Sequence, residues 1–174
     1  MHHIYYFQKG RAPFRLPRGP AGAGRCTGRD GMAKNVLIRP LAREQYDKFM
    51  ARGRVLFFSA PCGCGKSTLA RALLSGCQVL SLHAGEPGFA LPADDEGWEV
   101  LLIDDLQQMT EEADRQALCQ LIREYAGRRF VLLSRGAVPG WLMAFQYAGL
   151  MAVLDTNALL WDREDIRTLF HRQG

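Results

Sequence analysis

Residues 59–68 read SAPCGCGKST, in which two cysteines and two glycines alternate and run into Gly-Lys-Ser. Two chemistries fit such a stretch: a Cys-x-Cys metal or redox pair, or a loop built to hold phosphate. The flanks weigh between them. Upstream, RVLFFSA (54–60) is a short apolar run ending in small residues, as a buried parallel strand reads. Downstream, GKSTLARALLSG (65–76) places Leu69, Ala72, Leu73 and Gly76 at helical spacing, with Gly76 as its stop. Between a strand and an amphipathic helix, residues 60–67 fit the phosphate-loop pattern, save that Ala60 stands in for the opening glycine.

The spacing has a mechanical reason. Successive backbone N–H groups of residues 62–67 would turn inward as an anion-binding nest, continued by the start of the helix near Gly65. Gly63 and Gly65 permit backbone geometry and close approach that a Cβ would obstruct. Lys66 would set its ammonium at the β- and γ-phosphates, and Ser67 would offer its hydroxyl to Mg²⁺. Thr68, one residue on, could reach the α-phosphate. Ala60, Pro61, Cys62, Gly63, Cys64, Gly65, Lys66, Ser67 and Thr68 are therefore the candidate nucleotide-binding residues.

A zinc site wants four ligands, usually arranged as two closely spaced pairs. Beyond Cys62 and Cys64 the candidates Cys26, Cys77, Cys119, His83 and His171 are scattered singly. Cys77 and Cys119 fall where a cysteine behaves as a small hydrophobe. The two loop cysteines are read as tolerated positions of a phosphate loop.

Composition bounds the remainder. At 174 residues the chain has room for one domain with a proper core, and its 48% apolar and 23% charged residues are ordinary for a soluble globular protein. No apolar run approaches the roughly 20 residues that cross a bilayer. Five cysteines without framework spacing predict reduced thiols and a cytoplasmic setting. Residues 1–31 hold six Lys and Arg against one Asp, so of the net +4 the remainder, 32–174, carries −1. Basicity thus belongs to the tail and gives no nucleic-acid face to the rest. That Gly- and Pro-rich tail is read as disordered, or as lying upstream of a true start at Met32; residues 32–174 are read as the domain.

Beyond the loop, strand-like and helix-like segments alternate. QVLSL (78–82), WEVLLIDD (98–105), RFVLLSR (129–135) and a run within AVLDTNALLW (152–161) read as strands. EEADRQALCQLIREYAG (111–127) reads as a helix with Thr110 as cap and Gly127 as stop; 140–148 reads as a short one. Asp162, with Asp165 three residues on, opens a last helix through Phe170. This alternation predicts an α/β layer with a mainly parallel sheet, whose ligands sit at the carboxyl ends of the strands.

Three of those ends carry chemistry. Asp104 would bring a carboxylate beside the phosphate loop, where it can hold Mg²⁺ directly or through water. Asp105 could polarise an attacking water or bond the neighbouring strand. On its own, Asp-Asp after a strand reads as a cap or turn; downstream of a phosphate loop the weighting reverses. Arg135 either meets a γ-phosphate or is a solvated arginine at a strand end.

IRPLAREQYDKFMARGRVLFFSAPCGCGKSTLARALL (38–74), VLLIDDLQQM (100–109), FVLLSR (130–135) and LDTNALLWDREDIRTLF (154–170) together resemble a known family. It is the N-terminal nucleotide-binding domain of large ATP-dependent LuxR-type transcriptional regulators, the group of the maltose-regulon activator, among the signal-transduction ATPases with numerous domains. In that family an alanine commonly opens the loop. The resemblance implies a P-loop NTPase three-layer sandwich with a mainly parallel sheet of about five strands, in a bacterial protein. It implies phosphate contact for Lys66, Mg²⁺ contact for Ser67 and Asp104, γ-phosphate sensing for Arg135, and proximity to adenine for Arg39 and Pro40. It also implies ATP or ADP with Mg²⁺ as ligand, slow hydrolysis that resets a switch, and self-association.

Two departures from the family stand out. Only HAGEPGFALPADDEG (83–97) separates the second and third strands, which leaves room for a crossover without a full helix. The family's lid, sensor repeats and DNA-binding helix-turn-helix have no counterpart, so a partner supplying them, or a longer parent chain, is expected, with neither sequence-specific nucleic-acid binding nor a membrane role. The rival readings are a non-catalytic nucleotide-gated interaction module and a small-molecule kinase.

Overall fold

The structure, a computed structural model, describes residues 36, 38–92, 97–161, 163, 166–167 and 170–171. The readings of residues 1–31 as a tail, and of Asp162 and Asp165 as a cap, lie outside the described residues. The chain runs α1 (Pro40–Arg52), β1 (Val55–Ser59), α2 (Lys66–Leu73), β2 (Val79–His83), β3 (Val100–Asp104), α3 (Glu112–Glu124), β4 (Arg129–Ser134), α4 (Met143–Tyr147), β5 (Met151–Asp155) and α5 (Thr156–Leu159). The five strands form one sheet in the order β2-β3-β4-β1-β5, and every neighbouring pair is parallel.

Side chains of the central strands alternate between two cores, as the two-residue period of a strand requires. On one face Val55, Phe57, Leu101, Ile103, Phe130 and Leu132 pack with Leu118 and Ile122 of α3 and Phe145 of α4. On the other, Leu56, Phe58, Val100, Leu102, Val131 and Leu133 meet Tyr46 and Phe49 of α1 and Ala70 and Leu73 of α2. Strands covered on both faces must be apolar at nearly every position, which is why VLFF and VLLI carry no alternation. The three layers are helix, sheet, helix.

The helix α1 forms no part of the strand–helix alternation read from the sequence. Pro40 occupies its first turn, where the missing N–H costs nothing, and holds Arg39 extended at ψ 145°. Its buried side chains Ala42, Tyr46 and Phe49 follow helical spacing. The ends of α3 differ from expectation. Glu111 rather than Thr110 is the N-cap residue, and no side chain caps it. At the other end the last N–H bond runs from Tyr125 to Leu121, and Gly127 is not left-handed. Packing sets this stop: the Tyr125 ring lies 6.3 Å from Trp98, and the Arg128 guanidinium stacks 4.2 Å over the same indole. Asp155 caps a one-turn helix that the sequence reading did not separate from the run after the fifth strand, its carboxylate accepting from the Ala158 N–H at 3.1 Å to start α5.

Between β2 and β3 the described residues 84–92 are turn and coil. Glu86 and Phe89 close consecutive turns on His83 and Glu86, and Phe89 and Leu91 pack on the first core. A parallel crossover is achieved there without a helix among the described residues.

Candidate nucleotide-binding site

The carboxyl ends of the strands come level with one another. Ser59 of β1 pairs with Ser134 of β4 and with Asp155 of β5, while His83 of β2 pairs with Asp104 of β3. Because β4 lies between β1 and β3, the loop after β1 and the carboxylates after β3 converge across the end of β4, where Arg135 follows. The three chemically loaded strand ends are thereby brought to one edge.

Gly63 and Gly65 have φ of +81° and +76°, the left-handed region that a side chain rarely enters. Gly65 is the N-cap of α2 and offers no side chain to the helix, so the first N–H groups of α2 have no capping side chain. Lys66 is buried, and its Nζ donates to the carbonyls of Ala60 at 2.6 Å and Pro61 at 2.8 Å. The lysine thus curls back along its own loop. Ser67 Oγ donates to Asp104 Oδ2 at 2.7 Å, and Asp104 Oδ1 accepts from the Asp105 N–H at 2.8 Å. Both oxygens of Asp104 are therefore oriented, one toward the phosphate loop. A hydroxyl and a carboxylate in contact beside a glycine-bent loop and a helix N-terminus fit Mg²⁺, which takes one or two protein oxygens and fills its shell with phosphate and water. Among the described residues no group of three or more His, Cys, Asp or Glu side chains gathers as a metal cage. Cys62 is exposed and Cys64 half-buried, both as free thiols.

Asp105 is the single non-glycine residue with left-handed backbone among those described, at φ 51°. Its carboxylate is crowded with donors. Arg135 binds it through two parallel bonds of 3.0 Å, Nε to Oδ1 and Nη2 to Oδ2. Gln107 Nε2 donates to Oδ1 at 2.7 Å, and the same amide's oxygen accepts from the Arg135 N–H at 3.1 Å. His83 Nε2 approaches Oδ2 at 3.3 Å, while its Nδ1 accepts from the Gly85 N–H, which leaves the ring proton on Nε2. The Gln107 amide first, and the Arg135 guanidinium after it, hold the Asp105 carboxyl below its ordinary value against the opposing pull of burial. Bonding to Asp105 in turn raises Arg135, with Cys62 and Asp104 as lesser contributors. The sequence reading weighs His83 only as a zinc ligand and does not single out Gln107; Gln107 reaches Asp105 from two residues along the chain, whereas the pairing of β2 with β3 brings His83 to it.

Arg39 and Pro40 lie at the start of α1, on the other side of the phosphate loop from Asp105. Arg39 Nη1 donates to the carbonyls of Asn157 and Leu160, joining the segment before α1 to the one after β5. Beneath that link is a cleft of about 180 Å³ between Arg39, Gly65, Thr68, Leu69, Leu159 and Trp161. Pro40 is exposed and does not line it.

Compared with known proteins, the sequence matches no family and no curated protein. Solved structures do resemble it. A variant of RuvB from Thermotoga maritima aligns with a TM-score of 0.50 and 19% identity, over 76% of this chain and 48% of that one. A chain of the Drosophila ORC bound to DNA aligns at a TM-score of 0.45 and 13% identity, over 71% of this chain and 94% of that one. The chain spans about half the length of the RuvB chain that it matches. Five parallel strands, helices on both faces and the likeness to RuvB together show the α/β fold of the P-loop ATPases.

Proposed function

We propose that the chain is a nucleotide-binding P-loop module that takes ATP or ADP with Mg²⁺ and acts as a slowly resetting switch. The observation that carries this reading is the Ser67–Asp104 contact at 2.7 Å, made where the left-handed glycines open the loop and Lys66 begins α2. Backbone N–H groups of residues 62–67 would bind the β-phosphate, Lys66 would exchange its two loop carbonyls for phosphate oxygens, and Thr68 would lie by the α-phosphate. When bound, Mg²⁺ would neutralise charge on the β- and γ-oxygens. Arg135 would be the γ-phosphate sensor, leaving Asp105 only for a stronger anion.

One observation favours a switch over a fast hydrolase. A general base must be free to take a proton from water, and Asp105 already accepts from Arg135 and Gln107, with His83 Nε2 3.3 Å from its Oδ2. In the reading of a purely binding module, Asp105 anchors Arg135 and no turnover follows. The resemblance to LuxR-type regulators supports the switch, with self-association or a partner domain as its output and no sequence-selective DNA binding by residues 32–174. The test is calorimetric titration with Mg-ADP followed by a turnover assay of the whole chain and its Asp104→Asn variant. Binding with slow, Asp104-dependent turnover supports the proposal; binding without turnover leaves the gated module; absence of binding refutes both.

A further inference from the structure

The chain's three tryptophans have different surroundings. Trp98 is buried against Phe130 and Tyr125, and Trp141 packs on the same core. Trp161 belongs to neither core and is 36% exposed. It instead lines the cleft beside the phosphate loop, together with Leu69 and Leu159. The cleft touches Gly65 and Thr68, the residues at which a bound phosphate chain would begin, so whatever fills it continues from the phosphates. At about 180 Å³ it falls below the roughly 300–1,000 Å³ of pockets that enclose a whole small molecule. It suits one ring system, with the phosphates outside on the loop.

We propose that Trp161 is the base-binding residue of this site, holding the ring of a nucleoside di- or triphosphate by stacking, with Leu69 as a further apolar wall of the cleft. The proposal rests on the nucleotide-binding reading above and deepens it. Two features explain how an exposed indole on a chain segment beyond the last strand is held in place. Asp155 caps the one-turn helix α5, which buries Ala158 and Leu159 in the second core. Arg39 then ties the Asn157 and Leu160 carbonyls to the start of α1, bracing the residue immediately before Trp161. Arg39 is accordingly a positioning residue that acts through Trp161; the guanidinium is engaged by backbone carbonyls.

Stacking of a base on an aromatic side chain contributes about 1–3 kcal/mol by alanine substitution, so losing it weakens binding on the order of tenfold. Because every base has a π-face, the contact favours bases over no base without reading their edges. The experiment compares Mg-ADP with Mg-tripolyphosphate, which presents phosphates and no base, on the full chain. Wild type is expected to bind Mg-ADP tighter than tripolyphosphate. Trp161→Ala should lose about tenfold for ADP and nothing for tripolyphosphate, Trp161→Phe should recover most of the loss, and ADP should quench wild-type tryptophan fluorescence but not that of Trp161→Phe. Equal losses for both ligands in Trp161→Ala, or an unchanged ADP affinity, overturn the proposal while leaving the phosphate loop standing. Failure of wild type to bind either ligand overturns both. Since Trp161 lies outside both cores, melting of the variants is expected to match wild type, and a large drop in Trp161→Phe would show the indole to be structural instead.

Discussion

Replacing Lys66 by alanine separates what the lysine does for the fold from what it does for a ligand. In the structure Lys66 as a residue is 8% exposed, and its ammonium donates to two loop carbonyls, at 2.6 and 2.8 Å. Each bond to a charged donor contributes about 1.5–3 kcal/mol by deletion. Against this, a buried ammonium costs several kcal/mol in lost hydration, and the Pro61 carbonyl lies in an exposed stretch that water can reach. The opposing effects leave a net change of about 1 kcal/mol, a shift of roughly 2–4 °C in a chain of this size. Ligand at a hundred times its dissociation constant stabilises by about 2.7 kcal/mol, or some 5–10 °C. Loss of the lysine–phosphate contact should lower affinity on the order of 100-fold. At the same ligand concentration the variant would then gain only about 0.4 kcal/mol, or 1–2 °C. Differential scanning fluorimetry with and without Mg-ADP reads both quantities in one experiment. An undiminished Mg-ADP shift in Lys66→Ala refutes the phosphate-loop assignment. A collapse of the unliganded protein by tens of degrees would mean that the lysine exists to clamp its own loop.

Asp104→Asn should weaken the Mg²⁺-dependent part of nucleotide affinity more than binding measured in EDTA, because it removes a charge aimed at the metal; equal losses would make Asp104 structural. The folded Asp105 carboxyl is held below its unfolded value, so its contribution to stability is present above the ordinary carboxylate range and fades as pH falls through the folded value. Asp105→Asn should therefore flatten the acid limb of the stability curve below about pH 4, and an unchanged limb in urea melts would argue against the network with Arg135, Gln107 and His83. Cys62 is exposed beside Arg135, and Cys64 lines the cleft, so alkylation of the free protein should block Mg-ADP binding and bound ADP should protect; equal labelling with and without ADP counts against either thiol lining the site. Residues 32–174 carry a net charge of −1, so in a gel shift at moderate salt they should form no complex with DNA; a tight, sequence-selective one would contradict this.

Much of the site was legible before any tertiary structure because its signals are local. Gly63 and Gly65 mark left-handed turns, Lys66 and Ser67 follow at the start of a helix, and the unbroken apolar runs VLFF, VLLI and FVLL announce strands covered on both faces. Even so, Thr110 and Gly127 misled: Glu111 is the N-cap residue, and the C-terminal end of α3 goes with Tyr125 packing on Trp98, a residue far away in the chain. The helix α1 was overlooked although Pro40 and the spacing of Ala42, Tyr46 and Phe49 announce it, because charged residues occupy most of its other positions. What no local pattern contains is strand order. Insertion of β4 between β1 and β3 decides that Arg135 stands between the phosphate loop and the carboxylates, and the level register of β2 with β3 decides that His83 reaches Asp105. The cleft that both Arg39 and Trp161 line likewise depends on a distant contact, the Arg39 guanidinium bonding the Asn157 and Leu160 carbonyls. Local steric and periodic preferences act over a few residues and can be read along the chain; which strand ends become neighbours depends on how the whole sheet buries two cores at once.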